Sequence, residues 1–284
     1  MFHEQEGYPV ANLCRLLSLS RSSYYYQMIE RDESDLRRNI EAVAAEFVKY
    51  GSRRLTKQLR RPPYKLVINR KRIQRLMREM DLLRVQKRLK GRTTDSNHGF
   101  RRYPNLVAEL EVTYPDQVWV SDITYIHLQK GFVYLAVIMD VFTRGIRGWQ
   151  LSRRLDQFLT LTALQRALSI HVPHIHHSDQ GIQYATNDYV ALLRQHEVQI
   201  SMSAKGSPEE NAFAERLIRT IKEEEVELSE YFDFTDAYTQ IGYFIEEVYQ
   251  KKRIHSSLGY ITPMEFEQSY LQVDTEQMSS LKIA

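Results

Sequence analysis

One cysteine, Cys14, in 284 residues excludes an intramolecular disulfide and any multi-cysteine zinc site. Its neighbours Leu13, Leu16 and Leu17 mark it as a buried thiol. Long apolar runs are also missing: nothing approaches the roughly 18 consecutive apolar residues of a membrane span. The opening Met1-Phe2-His3-Glu4-Gln5-Glu6 lacks a charged-then-apolar leader, so a soluble cytoplasmic protein is expected. Acidic residues are scarce in one long segment. Between Gly51 and Arg102 there are 18 Lys plus Arg against three acids, Glu79, Asp81 and Asp95. That local excess of 15 leaves −12 for the rest of a chain whose net charge is +3. A basic N-terminal third beside an acidic remainder is the electrostatic footprint of a protein that meets a polyanion.

What is present indicates a folded chain: 43% hydrophobic and 11% aromatic residues, long enough for a sizeable core and a small accessory domain. Val10 to Leu17, a polar turn at residues 18–23 and the tyrosines 24–26 read as a small helix-turn-helix unit or a plain helical hairpin. Leu36 to Tyr50 is helical by pattern, Arg53 to Arg61 forms a helix stopped by Pro62-Pro63, and Asn69 caps a third. In that third helix Ile73, Leu76, Met77 and Met80 make an apolar face and arginines and lysines cover the rest. By charge, Arg53, Arg54, Lys57, Arg70, Arg72 and Arg75 are candidates to lie along phosphates. Lys87 to Pro104 has no period and reads as a basic linker.

From Gln117 the pattern changes to strands. Val118 to His127, Phe132 to Asp140 and Ile146 to Leu151 form a meander, the middle strand apolar on both faces. Helix 156–170, strand 174–177, helix 187–195, strand 198–202 and further helices follow. Pattern alone supports α/β or α+β. Asp122 shares strand parity with Val118, Val120 and Ile126, a costly place for an unpaired charge. Asp179 stands where a short strand opens into a turn at Gly181. Glu215 lies in a helix expected to start at Ser207-Pro208-Glu209-Glu210, on one face with Asn211, Arg219 and Lys222. Four histidines, 171, 174, 176 and 177, match no standard zinc spacing. The loop 202–207, with Gly206, suits a hinge.

The order aspartate, aspartate, 35 intervening residues, glutamate, with the stretches "WVSDITYI", "HHSDQGIQY", "ENAFAERLIRTIKEE" and "RIHSSLGYITPMEF", resembles the integrase-core transposase encoded by the second reading frame of the third bacterial insertion-sequence family, itself similar to retroviral integrases. The resemblance covers almost the whole chain. Two residues depart from it: Glu210 stands where the family usually has Asp, and Gln180 where Arg is frequent.

The resemblance implies an RNase H-like mixed five-stranded sheet flanked by helices, preceded by a small all-helical DNA-binding region. Its expected divisions are a helix-turn-helix-like region at 1–86, a basic linker at 87–112, the catalytic core at 113–228 and a C-terminal helical extension at 229–284. It implies a transposase that cleaves and joins element ends with two Mg²⁺ ions, Mn²⁺ substituting. Asp122 would be shared by the ions, with Asp179 on one and Glu215 on the other, Lys222 on phosphate and Arg219 assisting. Implied partners are terminal inverted repeats, target DNA, further copies of the chain and an upstream-frame product or fusion, in the bacterial cytoplasm at the nucleoid. A structure-specific nuclease without joining activity and a non-catalytic DNA-binding repressor are the alternative readings.

Overall fold

The computed structural model describes residues 9–26, 32–83, 102–204 and 208–281. The linker from Lys87 to Arg101 and residues 205–207, including Gly206, lie outside them. By contacts the chain divides into two units, 1–39 and 40–284. The first contains α1 (Val10–Leu16) and α2 (Arg21–Tyr24), the latter capped by the Ser20 hydroxyl, which accepts from the Ser23 amide at 3.0 Å. Cys14 is buried. Helix α3 (Ser34–Glu46) spans the division and stops four residues short of the expected Tyr50. Instead of continuing the helix, Phe47 and Tyr50 stack, with ring centroids 4.5 Å apart.

Helices α4 (Ser52–Leu59) and α5 (Arg70–Glu79) pack through Leu55, Leu59, Ile73, Leu76 and Met77, all buried, and leave most of their cations outside. Asn69 caps α5 as its sequence position requires, accepting from the Lys71 amide at 2.9 Å.

Five strands make one mixed sheet in the order β3-β2-β1-β4-β5. Strands β1 (Val118–His127) and β2 (Phe132–Asp140) run antiparallel, as do β2 and β3 (Ile146–Ser152). Strands β4 (Ile175–Ser178) and β5 (Gln199–Met202) add in parallel beyond β1. β1 is thus the middle strand, and alternation along it separates two cores. Val118, Val120 and Ile126 face one cluster, completed by α8 (Ala212–Ile221) and α9 (Phe234–Tyr243) through Leu217, Ile221 and Ile241. Trp119 faces the other, with Leu159 and Leu164 of α6 (Gln157–Leu168) and Leu193 of α7 (Asn187–Gln195).

The helix ends follow their side chains. Asp156 caps α6, accepting from the Leu159 amide at 3.3 Å, and Asp233 caps α9, accepting from the Asp236 amide at 2.9 Å. Thr262 and Glu265 form a reciprocal capping box at the start of α10 (Pro263–Leu281), a longer helix than the short one its sequence suggests. Two helices run on as π-helix: α8 into Lys222–Val226 and α9 into Phe244–Tyr249.

Candidate active site

The parallel register of β1 and β4 sets Ser121 opposite Ser178. Asp122 is the next residue on β1 and Asp179 the first residue past β4, so the sheet itself brings the two aspartates side by side. β4 ends at Ser178, so Asp179 stands just past a strand terminus, where α/β sheets commonly place reactive groups. Its carboxylate accepts from the Gly181 amide at 2.9 Å, and a Cβ at position 181 would come within 2.9 Å of the same oxygen. A larger residue there would displace the carboxylate.

Glu215 comes from the opposite direction, on the helix packed over the Asp122 face. Asn211, buried at the start of that helix, donates from Nδ2 to the Ser121 carbonyl at 3.2 Å. The helix is tied to β1 one residue before Asp122, and Glu215 lies one turn beyond the tie. The expected helix start needs correcting: residues 208–211 form a 3₁₀ turn and the α-helix begins at Ala212. Asn211 therefore leaves the shared face, while Glu215 and Arg219 are exposed.

Asp122 is partly buried, and its carboxyl is pushed up to about 7. Burial is the main cause, followed by the charge of Asp179; Glu215 raises it further and Lys222 opposes them. All four residues thus share one electrostatic neighbourhood. Lys222 lies with its ammonium 4.8 Å from the Tyr125 ring centroid. Among the described residues, Arg219 pairs with neither Glu215 nor Glu223. The three carboxylates offer hard oxygen donors, the ligand type that suits Mg²⁺ or Mn²⁺. Their oxygens lie more loosely than those of Asp116, His171 and Glu267, the group whose ligand atoms fall within 4.8 Å of one another.

That second group is not free to take a metal. The buried Arg147 guanidinium already spans it, 2.7 Å from Asp116 and 2.8 Å from Glu267. The other histidines of the sequence cluster also have partners: His174 with Gln199 (3.2 Å), His176 with Tyr189 (3.0 Å) and His177 with Ser201 (2.8 Å).

Around the site, residues 105 and 106 are tied to β5 and to the turn before α8. Leu106 donates to the Ser201 hydroxyl that bonds His177, and Asn105 donates to Glu210 at 2.8 Å. Glu210 also accepts from the Ala204 amide at 2.6 Å, so the residue that departs from the family pattern has a defined structural task.

Sequence reasoning missed Glu224. In the run Glu223-Glu224-Glu225 it reads as solvated, yet it receives a bidentate pair from buried Arg253, at 2.6 and 2.7 Å. Arg54 joins it at 3.4 Å and so turns inward, away from the outer surface where a phosphate contact was expected. Arg61 pairs with Glu265.

Residues 112–208 match the family described as Integrase core domain, residues 196–263 match a second family of that description, and residues 30–90 match an HTH-like domain. The chain is 36% identical to the 31 kDa protein of insertion element IS600 from Shigella sonnei, over 92% of this chain and 99% of that protein. It is 31% identical to transposase InsF of insertion sequence IS3A from Escherichia coli K12, over 94% and 96% of the two chains. The chain belongs to the IS3-type integrase-core transposases. The transposase of element IS904 from Lactococcus lactis is another relative, 36% identical over 85% of this transposase and 96% of its own length. The HTLV-2 integrase catalytic core domain, solved in complex with magnesium, superposes with a TM-score of 0.43 at 15% identity, over 54% of this chain and 97% of that one. As a DDE-type transposase the chain is a polynucleotidyl transferase, and its N-terminal part contains a helix-turn-helix-like domain. Among the described residues no helix is long and apolar enough to cross a membrane.

Proposed function

We propose that this transposase cleaves and joins insertion-sequence ends at one site formed by Asp122, Asp179 and Glu215, which hold two Mg²⁺ or Mn²⁺ ions. The observation that carries this reading is the parallel register of β1 and β4, which sets Asp122 beside Asp179, with the Asn211 bond to Ser121 bringing the Glu215 helix over them. Divalent ions bound there would lower the pKa of an attacking water or 3′-hydroxyl and offset the charge growing on the leaving oxygen. Asp122, on the middle strand, would hold the ions together with Asp179 and Glu215, each supplying hard carboxylate oxygens. Asn211 fixes the height of the Glu215 helix against β1, and Gly181 leaves room for the Asp179 carboxylate. Lys222 holds a phosphate of the element end beside the carboxylates, and exposed Arg219 is available to a second. The basic helices bind terminal repeats and target DNA, several copies act together on DNA, and an upstream-frame product supplies further DNA-binding elements. The work is done in the bacterial cytoplasm, at the nucleoid.

The deciding experiment incubates the purified chain with candidate element ends and Mg²⁺ or Mn²⁺, then maps nicks and joints. Precut ends offered with a target plasmid should give joined products. Nicks without joints would instead support a structure-specific nuclease, and end binding without either would support a repressor.

A further inference from the structure

Two groups of cations in the helical region have opposite settings. Arg54 and Arg61 turn inward onto Glu224 and Glu265. Arg53, Lys57, Arg60 and Arg70 do the opposite: with Thr56 and Tyr260 they line one open cavity of about 250 Å³. Among the described residues none of these four has a carboxylate partner. Four positive groups around one depression with no compensating acid repel each other, and a bound anion relieves the repulsion.

Tyr260 makes this more than a basic helix surface. It comes from the stretch 253–266, nearly two hundred residues after α4 in sequence, and its ring centroid lies 5.1 Å from the Lys57 ammonium. It is held there in the left-handed region, φ +69°, directly after Gly259 at φ +72°. For a tyrosine that conformation costs on the order of 1 kcal/mol. The flanking bridge between His255 and Ile261 and the Tyr260 amide bond to the His255 carbonyl, 2.8 Å, keep the loop in place. The ring closes one side of the cavity and steers Lys57 by cation–π attraction.

We propose that Arg53, Lys57, Arg60 and Arg70, walled by Tyr260, form a single clamp for the phosphodiester backbone of duplex DNA. The C-terminal signature thereby completes a DNA site begun by the N-terminal helices. The clamp rests on the transposase reading above, with a narrower claim: it separates these four cations from Arg54, and it gives the stretch around Tyr260 a binding role. A phosphate diester fits because guanidinium groups take its oxygens two at a time, while Lys57 adds a point charge.

The test measures affinity for a labelled duplex against salt by fluorescence anisotropy, with circular dichroism confirming folding of each variant. Arg60→Gln should lower the slope of log affinity against log salt by about 0.9, so that the loss between 50 and 200 mM salt shrinks roughly 3.5-fold. Tyr260→Ala should lower the slope although no charge is removed, because Lys57 loses its support. Tyr260→Phe, which keeps the ring, should bind as wild type does. Wild-type slopes for both Arg60→Gln and Tyr260→Ala would overturn the clamp. So would inorganic phosphate that binds the cavity, followed by its effect on Tyr260-dependent fluorescence, without competing for DNA. Joining of precut ends is run in parallel: if the wild-type chain neither binds nor joins DNA, the transposase reading fails, whereas normal joining with unchanged variant slopes removes only the clamp.

Discussion

Arg253 is buried with its guanidinium forked onto Glu224, Nε to Oε2 at 2.6 Å and Nη2 to Oε1 at 2.7 Å. Glu224 lies in the π-helical continuation of the Glu215 helix, so this pair anchors the far end of the element that carries Glu215. Tyr50 adds to the same junction, its hydroxyl accepting from the Ile254 amide at 2.8 Å. Removing Arg253 leaves the part-buried Glu224 with only the longer Arg54 contact, so Arg253→Ala should cost on the order of 3 kcal/mol. The double variant Arg253→Leu, Glu224→Leu should recover much of that loss. Urea midpoints check this, and equal destabilisation in the single and double variants would contradict it.

Acid should weaken the fold through two histidines kept neutral. Burial, joined by His177, holds His176 down to about 3, and burial, joined by Arg253, holds His255 down to about 2. In the unfolded chain both titrate near 6.5. The unfolded state therefore binds more protons between those values, and stability is full above about 6.5 and lost as pH falls below it. Each group should contribute ~1.4 kcal/mol per pH unit in that window. His255→Gln should flatten the dependence of the urea midpoint on pH between 4.5 and 6.5; an unchanged slope would show that His255 takes up its proton in the folded state.

Metal affinity should rise with pH. An ion needs Asp122 ionised, and its carboxyl is pushed up to about 7 by burial and its acidic neighbours. Below that value, Mn²⁺ binding measured by calorimetry should tighten by up to about tenfold per pH unit. Affinity that does not change between pH 6 and 8 would remove Asp122 from the ligand set.

Gly181→Ala should move the Asp179 carboxylate, since the added methyl would stand 2.9 Å from its oxygen. We expect joining to fall at least ~10-fold, about 1.4 kcal/mol in the barrier, with little change in thermal midpoint. Full activity would show that the turn absorbs the methyl.

Much of this was legible in the sequence, and the failures share one physical source. The bounds of β1 and β2 follow from alternation and from an uninterrupted apolar run, and strand parity placed Asp122 on the face that α8 covers. The phase of α8 was not legible. Asn211 uses its side chain on the Ser121 carbonyl rather than as a helix cap, so the α-helix starts after it and the four-residue spacing from 211 to 215 does not define a face. Beyond Lys222 the π-helical turn shifts the phase again and swings Glu224 onto Arg253, a partner 29 positions away. Local periodicity contains no information about such a contact. The same limit hid the inward turn of Arg54, which composition alone could not separate from Arg53.

The central claim is that Asp122, Asp179 and Glu215 act as one metal-holding site. The most direct measurement compares wild type with Asp122→Asn, Asp179→Asn and Glu215→Gln for Mg²⁺-dependent nicking of an element end, alongside binding of the same end without metal. Each substitution should lower nicking by ~10³-fold or more, on the order of 4 kcal/mol, while end binding persists. Near-normal nicking by any one of the three would contradict it.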